Sequence, residues 1–124
     1  MNIQDCINRV DSIKPNQYSI EDKVAWLSYL DGSIRKTIID THESEIERAE
    51  FTPYSADRIT DELLVPFPYD ELYLDYLMAK IDEANGETVR YNNTASTFNA
   101  KMEDYAKAYH RKYKPKNENY FRYL

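Results

Sequence analysis

The sequence predicts an all-α protein: a small bundle of four principal helices, with a long acidic connection and an extended C-terminal tail. Three observations predict it. Two glycines in 124 residues are too few for the Gly-rich turns of all-β or Rossmann-like chains. Apolar residues recur at three-four spacing in four separate stretches. Each stretch is bounded by a capping or a breaking residue.

The first helix is expected over residues 3–14. Asn2 caps it, Ile3, Cys6, Ile7, Val10 and Ile13 form its apolar stripe, and Pro15 stops it. Cys6 lies on that stripe with no basic residue or histidine beside it, so it reads as a small buried hydrophobe. The second helix is expected over 20–40. Ser19 and Asp22 make a capping-box arrangement, and the first-turn acid suits the helix dipole. Ile20, Val24, Leu27, Leu30, Ile34 and Ile38 form the stripe, flanked by Trp26 and Tyr29. Gly32 marks either a kink or a close approach.

Residues 40–62 lose periodicity and are rich in acids, with Arg48 and Arg58 the two cations among them. They read as a long connection with at most one short helical turn; such loops are often functional. In Leu63-Leu64-Val65-Pro66-Phe67-Pro68 each proline pushes the residue before it into extended geometry. Pro68 then suits the first position of a third helix over 68–85, with Asp70 and Glu71 in its first turn. Its buried face is expected to be Tyr69, Leu72, Tyr73, Tyr76, Leu77, Ile81 and Ala84, and Gly86 supplies the left-handed stop. A fourth helix over 88–113 carries a heptad seam of Tyr91, Ala95, Phe98, Met102, Tyr105 and Tyr109. Its other face carries Lys101, Asp104, Lys107, Arg111 and Lys114, and Pro115 ends it.

One core is expected, from Ile7, Val10, Leu27, Leu30, Ile34, Leu72, Tyr76, Ile81, Phe98, Met102 and Tyr105. A Phe98 buried there would lose roughly 3–5 kcal/mol on truncation to Ala. Residues 1–115 read as a single helical domain and 116–124 as a tail, polar at first and then aromatic at Tyr120, Phe121 and Tyr123.

Composition excludes several classes. One cysteine allows no internal disulfide. No apolar run approaches the roughly 18 residues of a membrane span, and Met-Asn-Ile-Gln-Asp lacks a signal peptide's basic and apolar regions. The expectation is a soluble protein made in a reducing cytoplasm. Catalytic motifs are absent too. His42 and His110 fall on different elements and in no metal-binding pair, and there is no G-x-S-x-G, P-loop or CxxC. Glu45/Glu47 and Asp61/Glu62 are neighbours on a loop, which defines neither a metal cage nor an acid–base dyad. Asn92-Asn93-Thr94 matches a glycosylation acceptor and means nothing without secretion. No enzyme activity, cofactor or metal is expected.

The net charge of −6 is divided unevenly. Residues 1–87 hold 8 Lys and Arg against 19 Asp and Glu, a balance of −11; residues 88–124 hold 8 against 3, a balance of +5. Such segregation orients partners. The acidic whole makes a poor free-standing DNA binder.

Leu63-Leu64-Val65-Pro-Phe-Pro-Tyr-Asp-Glu-Leu-Tyr, then Tyr76-Leu77 and Ile81-Asp82-Glu83-Ala84-Asn85-Gly86-Glu87, carry a resemblance. So do Tyr91-Asn92-Asn93, Phe98-Asn99, the pair Tyr105 and Tyr109, Cys6-Ile7-Asn8-Arg9-Val10-Asp11 and Lys14-Pro15-Asn16. Together they resemble head–tail connector (adaptor) proteins of long-tailed bacteriophages and of prophages in Gram-positive bacteria, over most of residues 3–115. The resemblance implies a small all-α, non-enzymatic virion subunit. It would form a homo-oligomeric ring beneath the portal protein and a platform for the stopper or tail-completion protein. Its place would be the head–tail junction, and the host cytoplasm during assembly. A head-to-tail ring needs two different complementary patches per copy. The basic face (Lys107, Arg111, Lys114) and the tail (Lys116, Tyr120, Phe121, Tyr123) are expected to touch a neighbouring subunit or the portal. A ring of such helices would also offer non-specific contact to DNA in its channel. Two other classes stay open. One is an acidic inhibitor that mimics nucleic acid, which needs carboxylates on one face. The other is a small helical enzyme with its site at a subunit interface.

Overall fold

In a computed structural model, which describes residues 1–116, both expected N-caps are made. Asn2 Oδ1 accepts the Asp5 N–H at 2.8 Å, and Ser19 Oγ accepts the Asp22 N–H at 3.1 Å. They open α1 (Ile3–Ile13) and α2 (Ile20–Ile34). The Lys14 N–H closes α1 on the Val10 carbonyl, just before Pro15. After α2 the chain runs on into a π-helical turn, Arg35–Ile39, where the Asp40 N–H reaches back five residues to the Arg35 carbonyl at 2.8 Å. Gly32 leaves α2 unbroken. A Cβ there would lie 3.5 Å from the Phe51 ring, so the glycine marks a close approach of the connection.

The connection holds one short helical turn, the 3-10 turn Ala56–Arg58. Its backbone is tied to the start of the chain: the Gln4 N–H donates to the Ile59 carbonyl at 2.8 Å and the Leu63 N–H to the Met1 carbonyl at 3.0 Å. The third helix departs from expectation. The Phe67–Pro68 peptide is cis, and the Tyr69 N–H returns to the Pro66 carbonyl at 2.9 Å. Residues 66–71 therefore turn, and α3 (Leu72–Ala84) starts four residues after Pro68. Gly86, at φ 74°, makes the left-handed stop before α4 (Thr88–Lys112). Among the described residues there is no strand.

Helix α3 sits at the centre, packed on α1, α2 and α4, and it buries Leu72, Tyr73, Leu77 and Ile81 completely. Ile7, Val10, Leu27, Leu30, Ile34 and Tyr105 are buried as expected. Tyr76, Phe98 and Met102 are not; they are half-buried against the edge of the core. The reason is geometric: α4 packs on α3 and the π-helical turn, beside the bundle rather than in it, and Tyr105 is its one buried residue. Ile13 and Ile20, at the open ends of their helices, are 63% and 47% exposed. Ala84, in the last turn of α3, is exposed as well.

Charged side chains are buried among these helices. Lys23, 3% exposed, pairs with Asp11 at 2.7 Å. Asp82, fully buried, pairs with Lys14 and joins the end of α3 to the α1–α2 turn, where Tyr18 also donates to Asn85 at 2.6 Å. Lys101 leaves the outer face assigned to it and pairs with Asp75 of α3 at 2.6 Å. Among the described residues Asp31 of α2 forms no ion pair. Its carboxylate accepts the Tyr73 hydroxyl at 2.5 Å, the Leu64 N–H at 3.0 Å and the Tyr54 hydroxyl. Tyr73 in turn accepts the Val65 N–H at 2.8 Å. Burial pushes the Asp31 carboxyl above its ordinary range, outweighing the three donors that favour its charged form. The same burial, with Asp31 alongside, pushes the hydroxyls of Tyr54 and Tyr73 upward. Cys6 is buried, with its thiol pushed up to about 12 chiefly by burial, which suits its role as a core hydrophobe.

Candidate interaction surface

From the last turns of α4 to the residue that follows it, tyrosine repeats every fourth position, so Tyr105, Tyr109 and Tyr113 line up along one side. Ring centroids lie 6.0 Å apart between Tyr105 and Tyr109 and 4.6 Å apart between Tyr109 and Tyr113. Tyr69, from the turn before α3, extends the row at 6.0 Å from Tyr105. Burial raises the hydroxyls of Tyr105 and Tyr109. The row walls a hollow of about 320 Å³ that Arg48, Pro66, Phe67 and Lys112 complete. Phe67, held between two prolines, is 85% exposed. The Lys112 ammonium lies 5.4 Å from the Tyr113 ring centroid, a cation–π distance. His42, 2% exposed, packs edge-on to Tyr109 at 4.9 Å, its Nδ1 2.6 Å from the Ile38 carbonyl oxygen. His110 lies 5.7 Å from His42, so the fold brings together two histidines that are distant in sequence.

No protein-family model, curated protein or solved structure matches the chain.

Lys107, Arg111, Lys114 and Lys116 are all exposed at this end. Lys107 pairs with Glu103 one turn back, at 3.1 Å. Lys114 and Lys116 belong to a short antiparallel contact: the Glu43 N–H donates to the Lys114 carbonyl at 2.8 Å, and the Lys116 N–H to the Thr41 carbonyl at 2.9 Å. This contact lays the acidic connection against the basic helix end of the same chain, so Glu43 and Glu45 share a hollow with Arg48, Lys112 and Lys114. Tyr120, Phe121 and Tyr123 lie outside the described residues.

Sequence reasoning missed Arg48, Phe67 and Tyr113 as parts of this surface. The four-residue tyrosine repeat was the signal available for Tyr113; Arg48 and Phe67 arrive through long-range packing. Among the described residues no three His, Cys, Asp or Glu side chains converge to hold a metal ion. No helix there is long and apolar enough to cross a membrane. This end therefore presents Phe67 to solvent beside the cations Arg48 and Lys112.

Proposed function

We propose that the chain is the subunit of an adaptor ring at the head–tail junction of a long-tailed phage or prophage. It works without catalysis or cofactor, beneath the portal protein, as a platform for the stopper or tail-completion protein. The observation that carries this reading is the resemblance of residues 63–87, together with the Tyr91, Phe98 and Tyr105/Tyr109 pattern, to head–tail connectors. Two features support it. The resembling residues form the framework, since Asp82 pairs with Lys14 and Asn85 accepts from Tyr18. That framework leaves one end of α4 with exposed Phe67, Arg111 and Lys112. The alternative, an acidic nucleic-acid mimic, needs a face of carboxylates; the cations set among Glu43 and Glu45 weigh against it. Mass spectrometry of purified virions tests the reading. The expected result is the chain in fixed proportion to the portal protein; virions that lack it overturn the proposal.

A further inference from the structure

A groove of about 630 Å³ runs along the outer side of α2. Ala25, Tyr29 and Gly32 form its floor on the helix, and Phe51, Pro53 and Tyr54 form its far wall. Tyr29 is 77% exposed, and the bare Gly32 keeps the floor open beside the Phe51 ring. The groove extends along the helix to Thr37. Beyond it lies a second, more polar hollow of about 510 Å³, lined in part by Arg35, Asp40, Glu47, Glu50 and Lys116.

The direction of the chain at Lys116 links these hollows to the tail. Because residues 114–116 run antiparallel to 41–43, they pass from Glu43 back to Thr41. Lys116, the last described residue, therefore lies at the C-terminal end of the same helical rod that floors the groove. From Thr41 to Ala25 that rod is about 24 Å long at 1.5 Å per residue. Eight extended residues, 117–124, span at most about 26–29 Å. The polarity also falls in the right order. Asn117, Glu118 and Asn119 would cover the polar hollow, about 10 Å of extended chain. Tyr120, Phe121, Tyr123 and Leu124 would then fall on the apolar groove.

We propose that the groove along α2 is the docking site for the chain's own segment 120–124, held by the same copy in the isolated subunit. This does not depend on the adaptor reading. The test is paramagnetic broadening in the full chain. A nitroxide is attached at Leu124→Cys, where the buried Cys6 does not compete for the label. Isotope-labelled, spin-labelled protein is diluted into an excess of unlabelled, spin-free protein. Beyond the label's own neighbours in the tail, the expected result is loss of amide signal centred on the α2 groove residues 25–37 and on 51–54. That loss should be abolished by Phe121→Ser and by Gly32→Met, whose Cβ would lie 3.5 Å from the Phe51 ring and whose longer side chain would occupy the floor. Should Gly32→Met not fold, Tyr29→Ser alters an exposed floor residue and should weaken the broadening instead. Three results overturn the proposal. The broadening is absent or spread over the whole chain; it survives both groove variants; or it appears only between copies, in which case the groove receives a neighbour's tail.

Discussion

Asp31 is a buried acid whose three partners are neutral donors, so one carboxylate ties α2 to the connection and to α3. Removing the carboxylate strands the Leu64 N–H and two tyrosine hydroxyls. Asp31→Ala is therefore expected to cost on the order of 3 kcal/mol in chemical denaturation; a loss below 1 kcal/mol would mean that water replaces the carboxylate. The pH dependence has a definite sign. The folded carboxyl sits above its unfolded value, so the native state holds the proton more tightly. The stability this contributes is fully present below the unfolded pKa, about 3.9, and is lost as pH rises through the folded pKa. Relative to Asp31→Asn, which does not titrate, the wild type should lose stability from pH 4 upward. Denaturation at several pH values checks this, and a difference that stays flat contradicts it. None of this was legible in the sequence. Asp31 lies on the second helix as one acid among many, and its burial follows from Tyr54 and Tyr73, 23 and 42 positions away. The caps of Asn2 and Ser19 were legible because their partners are three residues off.

At the scale of elements, α3 and α4 form a hairpin whose geometry rests on Gly86 and whose outer seam is only half covered. Among the described residues a Cβ on Gly86 meets nothing within 4 Å, so its φ of 74° sets the cost of replacing it. Gly86→Ala should cost about 1–2 kcal/mol and Gly86→Asn less, measured by thermal or chemical unfolding. Equal losses for the two would show that the left-handed turn is not the cause. Phe98 packs on Tyr76 at a centroid distance of 5.3 Å with the seam's far side open. Phe98→Ala should then cost about 1–2 kcal/mol, below the roughly 3–5 of a fully enclosed phenylalanine; a loss in the higher range would mean that the seam is enclosed in solution by another chain. The heptad pattern located this helix and its inward side correctly. Periodicity reports which side turns inward and is silent on how many helices lie there. The start of the third helix was misread for a related reason: Pro68 suits a first helical turn locally, while the turn at 66–69 is closed by Tyr69 and Pro66.

Over the whole molecule, the division of charge seen in the sequence is partly closed within the chain. The acidic connection lies against the basic end of α4, where Glu43 and Glu45 line one hollow with Lys112 and Lys114. Lys107 and Arg111 stay outward on the helix itself, away from those acids, with Phe67 standing nearly free. On the adaptor reading these residues should act on different steps of docking to portal-bearing heads. Surface charges act over about a Debye length and orient an encounter, so Lys107→Glu with Arg111→Glu should slow association roughly tenfold at low salt, and added salt should erase the difference. Phe67 makes its contribution only after contact. Burying a phenylalanine is worth about 1.5–3 kcal/mol, so Phe67→Ala should raise the dissociation rate roughly tenfold or more while leaving association nearly unchanged. Because Phe67 is 85% exposed in the subunit, that substitution should leave folding stability within about 0.5 kcal/mol of the wild type, which separates a docking defect from a folding one. Binding kinetics on purified heads reads both rates. If Phe67→Ala docks and leaves as the wild type does, the tyrosine-walled end of α4 is not the face that meets the portal, and the docking surface lies elsewhere on the subunit.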